Sequence, residues 1–316
     1  MVSGLHTIPI RPKKQFAIPY LGFYFNSDSY RKQLLPLMQG VKVMSISKTA
    51  IGKTIVAYPK LLSEQCKIGS CLSFMDAYIS ATKEKLELLK TYKKGLMQKL
   101  FPSKDKKLPE LRFKEFEKDG EWQEKSLGEI GTFVRGLSYN KMEVTNDQTF
   151  TLVIRSNNII QDGLVDCKNG LQFVTKTPTA EQILQKDDIV ICLANGSSEL
   201  VGKTANFDGS YAGIATVGAF CGIYRSVAPI TKYIVQTNSY KEKINFIKQG
   251  GNGALANLYG KDILDLKFYV PSLPEQCKIA SCLSSMDDQI NAYSDKVALL
   301  GQYKKGLMQQ MFPTSK

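Results

Sequence analysis

Between residues 275 and 313 the apolar side chains fall at Ile279, Leu283, Met286, Ile290, Tyr293, Val297, Leu300, Tyr303 and Leu307, stepping four and three until Gly301 shortens one step. Residues 64–102 keep the same rhythm at Ile68, Leu72, Met75, Ile79, Leu86, Leu89, Tyr92 and Leu96, with Thr82 where the later segment has Tyr293. Alternating steps of four and three describe the seam of a coiled-coil helix, and about 35 residues at 1.5 Å each make a rod of roughly 50 Å. Two such seams in one chain can bury each other, so the pattern predicts paired helices over 61–102 and 272–313.

The stretch between them is patterned differently. From about 110 to 271 short apolar runs such as "FTLVIRSNNI", "DIVICLANGSSELVGKTANF", "AFCGIYRS" and "KYIVQTNS" are separated by Gly, Asn and Asp. Such spacing predicts several strands and few long helices, a mixed α/β domain. Residues 103–109, "SKDKKLP", read as a charged linker, and "LRFKEFEKDGEWQEKSLGEIGTFVRG" opens the domain with Trp122, the single tryptophan. Near the N-terminus, "SYRKQLLPLMQG" (29–40) echoes "SYKEKINFIKQG" (239–250) in its first two and last two residues, and each is followed by a strand-like run into a long helix. Residues 1–60 thus read as the last third of a second domain whose first two thirds are missing. The fold class expected is α+β, a mixed α/β domain flanked by two long helices.

The two helical segments are also copies of one another. Laid without a gap, 64–102 and 275–313 are identical at about 25 of 39 positions, and "YKKGLMQ" occurs in both, each time shortly before a Phe-Pro pair. Identity extends to positions that look exposed, such as Lys67/Lys278 and Gln98/Gln309, which core packing alone would not require. A surface outside the helix pair is expected to be read by a partner.

Composition narrows the chemistry. With 43% hydrophobic residues the 316-residue chain can bury a sizeable core, and no apolar run approaches the ~20 residues of a membrane span. The N-terminus lacks the apolar stretch of a secretion signal, which favours the cytoplasm and gives no membrane role. None of the seven cysteines forms a Cys-x-x-Cys pair, and His6 is the only histidine, which leaves no Ser-His-Asp, Cys-His or histidine-ligated metal site to expect. "GSSELVGKT" and "IGKT" approach phosphate loops but lack the glycine spacing or the following helix. There is no Asp-Pro-Pro-Tyr or Asn-Pro-Pro-Tyr box for base methylation. A net charge of +13 and a pI near 9.2 point instead to a polyanion, nucleic acid first.

These residues resemble a known family. "PELRFKEF…EW" opening a domain, "VPSLPEQCKIASCLSSMDDQI" leading into a long helix and the ending "LLGQYKKGLMQQMF" are similar to the specificity (S) subunits of type I restriction-modification systems, over nearly the whole chain. The resemblance implies that residues 110–271 are a complete target-recognition domain, that 1–60 are the remnant of a first one, and that the two helices pair antiparallel as a spacer. The seam is then Ile68, Leu72, Met75, Ile79, Leu86 and Leu89 against Ile279, Leu283, Met286, Ile290, Val297 and Leu300. It further implies a subunit without catalysis of its own that binds double-stranded DNA and directs the DNA methylation of a separate methyltransferase (modification) subunit and the cutting of a restriction subunit. S-adenosylmethionine, ATP and Mg are expected on those partners and no cofactor on this chain. With one complete domain, a chain active by itself would work as a homodimer. The alternatives are a truncated recombination cassette or a coiled-coil adaptor with no DNA recognition of its own.

Side chains that read bases reach from polar loops, while Lys and Arg hold the phosphates. The candidates are Arg135 and Tyr139 in "VRGLSYN", Arg155, Ser156, Asn157 and Asn158 in "IRSNNI", Asn195, Ser197 and Ser198 in "ANGSSE", and Lys203. Lys248, Asn252 and Asn257 in "IKQGGNGALAN" form a further loop.

Overall fold

The computed structural model describes residues 7–40, 44–103, 106–160, 163–250 and 257–312. In chain order the elements are α1 (Tyr20–Phe25), α2 (Asp28–Leu34), α3 (Lys48–Ile51), α4 (Leu62–Leu100), β1 (Gln123–Ser126), α5 (Leu127–Ile130), β2 (Gly131–Arg135), β3 (Val144–Thr145), β4 (Thr151–Ile154), β5 (Gly163–Leu164) and β6 (Phe173–Val174). There follow β7 (Ile189–Cys192), β8 (Thr204–Asn206), β9 (Ala215–Val217), β10 (Cys221–Ser226), α6 (Thr231–Ile234), α7 (Asn238–Gly250), α8 (Gly260–Leu264), β11 (Lys267–Val270) and α9 (Leu273–Met311). Two compact units result, one of residues 1–91 with 287–316, the other of residues 92–286.

In the first unit the two long helices run antiparallel, because the contacts climb one helix as they descend the other: Asp76 with Lys304, Tyr78 with Lys296, and Lys85 with Tyr293. Ile68 and Leu72 from the start of α4 share one apolar cluster with Leu307, Met311 and Phe312, and with Tyr20, Tyr24 and Tyr30 of the N-terminal helices. The Phe312 ring meets Tyr20 and Tyr24 edge to face at 5.6 and 5.8 Å. Burial pushes the Tyr20 hydroxyl up to about 12.

Among the described residues the second unit is built on three sheets. A five-stranded one has the order β2-β10-β7-β8-β5, a four-stranded one the order β3-β6-β4-β9, and β1 pairs with β11. The period of two along a strand sorts the core. Ile189 and Ile191 of β7, with Tyr224 of β10, face a cluster holding Met97, Leu100, Phe101, Trp122, Ile279 and Leu283, whereas Val190, Cys192, Cys221 and Ile223 face Leu152, Ile154, Ala215 and Val217 of the other sheet. The opening of the domain is fastened to α9 by Arg112, whose Nε and Nη2 donate to the two oxygens of buried Glu275 at 2.7 and 2.8 Å.

The two units repeat each other's internal contacts. In the first, Ser27 caps α2 by accepting from the Tyr30 N–H at 3.3 Å and donates to the Tyr24 carbonyl at 2.6 Å. In the second, Thr237 caps α7 through the Tyr240 N–H at 3.2 Å and donates to the Ile234 carbonyl at 2.7 Å. The Lys304 ammonium sits 5.4 Å from the centre of the Phe23 ring, and Lys93 lies 5.4 Å from that of Tyr233. Gln65 donates to the Pro59 carbonyl at 2.7 Å and Gln276 to that of Pro271 at 2.9 Å. Two of the seven residues of the repeated heptapeptide are thereby accounted for: its first lysine and its methionine pack against the short helices of the unit to which they belong.

Three expectations need correction. Tyr92 and Tyr303, placed on the seam by the heptad count, are exposed, and Lys93 is buried instead. The buried face here follows Lys93, Met97 and Leu100, at i, i+4 and i+7, because the aromatic ring under Lys93 lets its stem bury while the charge meets the π face and the Gln236 side chain at 3.4 Å. The run "KYI" is helical in α6 rather than a strand; so short an apolar run fits either period, and the Thr237 cap next to it favours helix. The run at 55–58 forms no strand, although its counterpart at Lys267–Val270 does. β11 exists by pairing with β1 at the start of its domain, and the first unit has no described strand to play that part. Side chains take the role: Gln33 accepts from the Ile55 N–H at 2.9 Å and donates to its carbonyl at 3.0 Å, while the Tyr24 hydroxyl donates to Ile55 and accepts from the Ala57 N–H.

Candidate nucleic-acid interface

The polar loops singled out by sequence leave the ends of strands from both larger sheets of the second unit. β4 runs out into Arg155–Asn158, and β7 into Ala194–Ser198. Asn195 Nδ2 donates to Ser156 Oγ at 2.8 Å, which ties the two loops together. β2 reaches the same place because Gly136 lacks a side chain: a Cβ there would lie 2.2 Å from the Gly218 carbonyl oxygen. That closeness lets the Leu137 N–H bond to the Val217 carbonyl at 2.7 Å. A Cβ added at Gly218 would in turn stand 3.8 Å from the Tyr139 ring and 3.9 Å from the Arg155 stem.

Within the first loop the residues divide by task. Asn158 is wholly buried; its Oδ1 accepts from the Arg155 N–H at 3.1 Å and its Nδ2 donates to the carbonyls of Asp166 and Asn169 at 3.3 and 2.9 Å. It locks the loop. Arg155 Nη2 donates to the Gly170 carbonyl at 3.1 Å and its Nε is buried without a hydrogen bond to the described residues. Asn157 is exposed and reaches the same carbonyl only at 3.4 Å. Gly170 turns the chain there with φ +59°, a left-handed conformation suited to glycine. Asp166 caps the turn, and the hydrogen bond from the Asn169 side chain, with that from the Lys168 N–H, holds its carboxyl below the ordinary range.

Ser197 and Ser198 are exposed, and the Ser197 N–H donates to Asn195 Oδ1 at 2.9 Å. Lys248, on α7, spends its ammonium on the carbonyls of Ser198 and Val201 at 3.1 and 3.4 Å, so it braces the second loop. Lys203 is half-buried at the start of β8, and its carbonyl accepts from the Cys192 N–H at 2.9 Å. Arg135 is exposed at the end of β2. The Tyr139 ring packs on Leu137, Val153 and Val174. Asn257 is exposed, next to Leu258, whose N–H donates to the Leu193 carbonyl at 2.9 Å; Asn252 lies outside the described residues.

Sequence reasoning missed Phe220. It sits in the turn between β9 and β10, 72% exposed, and its carbonyl accepts from the N–H groups of Leu193 and Ala194 at 2.8 and 3.2 Å. An aromatic face beside the Asn195 loop could stack on a base. In "AFCGIYRS" it looked like one more apolar strand residue, and only exposure distinguishes it. Lys176, which donates to the Ser138 carbonyl at 2.7 Å, was also unmarked. The assembled edge offers amide, hydroxyl, guanidinium and aromatic groups, the set that reads base edges and holds phosphates. Among the described residues no group of three His, Cys, Asp or Glu could hold a metal, and no helix is long and apolar enough to cross a membrane.

Residues 119–298 match a family model described as the type I restriction modification DNA specificity domain. The type I restriction enzyme StySPI specificity subunit of Salmonella potsdam and the type I restriction enzyme EcoKI specificity subunit of Escherichia coli (strain K12) are each 29% identical over 199 residues, 60% of this chain and 41% of theirs. The chain therefore aligns with about two fifths of the length of these relatives. A solved type I restriction-modification system S subunit from M. genitalium shares the fold, with a TM-score of 0.58 at 16% identity over 94% of this chain and 73% of that one.

Proposed function

Because the chain belongs to the type I restriction-modification DNA specificity family, we propose that it is the subunit that chooses the DNA sequence on which separate methyltransferase and restriction subunits act. Residues 110–271 are the target-recognition domain. Arg135, Asn157, Asn195, Ser197, Ser198 and Lys203 face the DNA, with Arg155, Asn158 and Lys248 bracing the loops that carry them. The observation that supports this most is the meeting of the 155–158 and 194–198 loops through Asn195 and Ser156: it turns two strand ends into one polar edge beside an exposed aromatic. The repetition of cap, cation–ring and glutamine contacts supports reading residues 1–60 as the end of a first recognition domain. Methyl transfer belongs to the modification subunit, which brings S-adenosylmethionine. Acting as the sole specificity subunit, the chain works as a homodimer on a palindromic target, since one complete domain reads one half-site and a two-fold axis presents it twice.

A gel-shift with the full chain, with and without the modification subunit, tests this. One DNA sequence preferred over scrambled competitor at physiological salt is the expected result. Equal retention of all sequences would reduce the chain to an adaptor.

A further inference from the structure

The chain's positive charge does not lie with its polar loops. Residues 1–60 carry nine lysines and arginines against one acid, Asp28, a formal +8 of the chain's +13, whereas residues 110–271 carry 18 against 19, a formal −1. Nor does the excess come with the domain end that residues 1–60 repeat. The caps Ser27 and Thr237 lie 210 positions apart, so the counterpart of 1–60 is about 211–270, which holds seven cations and three acids, a formal +4. Where α7 has Glu242 between Lys241 and Lys243, α2 has Lys32 after Arg31.

Eight of the nine cations lie among the described residues; all eight are exposed, and none of their side chains makes a hydrogen bond or ion pair to the described residues. Exposed lysines elsewhere do find acids, as Lys90 finds Glu87 and Lys278 finds Glu115. The fold gathers the eight along the 53–60 segment. At its start the Thr54 hydroxyl donates to that of Tyr30 at 3.4 Å and Gln33 holds both backbone groups of Ile55, which fastens the chain beside Lys53 to the part of α2 that carries Arg31 and Lys32. At its end the Tyr58 ring, two residues before Lys60, meets Phe16 at 4.8 Å, just after the stretch 11–14 with its three cations. Like charges gathered without acids repel and raise the energy of the free chain; an anion laid along them removes that cost. Groups that could read a base are otherwise occupied: Asn26 Nδ2 donates to the Gly22 carbonyl at 2.8 Å, and Gln33 is spent on Ile55. The 155–158 and 194–198 loops have no counterpart here, because they precede residue 211.

We propose that this basic strip, Arg31, Lys32, Lys48 and Lys53 above all, holds DNA by its phosphates and reads no sequence. Lysines and arginines on phosphates carry affinity and salt dependence but no sequence information. A series of separate, unpaired cations suits a line of phosphates, whereas a single acidic group would call for charges converging on one point. The choice of DNA as the polyanion rests on the function proposed above; the strip itself rests on charge and exposure. Labour is then divided: a nearly neutral domain chooses the sequence, and the piece left of another domain supplies the grip.

The test uses the full chain with its modification subunit and measures affinity for the preferred target and for scrambled DNA between about 50 and 200 mM salt. The variant combines Arg31→Gln, Lys32→Gln, Lys48→Gln and Lys53→Gln, exposed positions whose side chains hold nothing in the fold, so thermal denaturation is expected to be unchanged or shifted upward. Affinity for both DNAs should fall by the same factor, at least about tenfold at the higher salt, and the slope of log affinity against log salt should become shallower by about 3, since each phosphate contact contributes about 0.9. A variant with wild-type affinity and slope overturns the proposal while the proposed function stands. Loss confined to the preferred target, with scrambled DNA held as before, means that the strip reads sequence and also overturns it. If the wild type prefers no sequence yet the variant loses affinity for all DNA alike, the function fails and the strip is upheld. A wild type that holds no DNA overturns both. Unchanged DNA binding with loss of the modification subunit on co-purification makes the occupant an acidic protein surface, and the proposal is overturned.

Discussion

Replacing Arg112 with methionine asks what fastens the opening of the second unit to α9. Arg112 grips Glu275 with two hydrogen bonds of 2.7 and 2.8 Å, and the side chains are 10% and 0% exposed. Its remaining nitrogen donates to the carbonyls of Asp119 and Gly120, so the pair also fixes the chain just before Trp122. Losing the cation strands a carboxylate that has no access to water, which costs about 3–5 kcal/mol. Changing both residues to apolar ones of similar size, Arg112→Met with Glu275→Leu, removes the stranded charge and is expected to cost less than about 2 kcal/mol. The double variant should therefore be more stable than Arg112→Met alone by at least about 1 kcal/mol. Trp122 is the only tryptophan and lies in the same core as Ile279 and Leu283, so its fluorescence during urea unfolding reports on this unit. For a slope of about 2 kcal/mol/M the single variant should unfold about 2 M earlier than wild type. A single variant within about 0.3 M of wild type, or a double variant no better than the single, would refute the reasoning.

In the first unit, Gln33→Ala removes the side chain that satisfies both backbone groups of Ile55; the expected loss is about 1–2 kcal/mol, read as faster hydrogen exchange at the Ile55 amide, and unchanged exchange would show that the amide does not stand in for a strand. Among the loop residues, Asn157→Ala is expected to relax the choice of DNA sequence by about 1–3 kcal/mol with little change in folding, whereas Asn158→Ala should lower folding stability by a similar amount because three hydrogen bonds go with it. Competition binding and urea unfolding on both variants check the division, and a reversed pattern would contradict it.

How much was legible in the sequence varies with the physics. The long helices were, because a seam of nearly 40 residues samples its period many times, and the mixed domain between them was, because Gly and Asn punctuate its short runs. The last turns were not: Tyr92 and Lys93 are neighbours on one helix, and which of them is buried depends on the Tyr233 ring, about 140 residues away in the chain. The 55–58 run failed for a related reason, since a strand is defined by a partner, and Gln33 supplied one that no pattern predicts. At the candidate edge composition pointed to loops that the structure brings together, but it could not separate Asn157, exposed, from Asn158, wholly buried, or lift Phe220 out of a strand-like run. Those distinctions are tertiary.

The central claim, that this chain chooses a DNA sequence for a separate methyltransferase, is tested most directly by sequencing-based mapping of methylated bases in cells that carry the modification subunit and this chain as the only specificity subunit. The account predicts methylation at nearly every copy of one palindromic target, and none when the chain is absent. Methylation that is independent of the chain, or that follows no sequence, would contradict it.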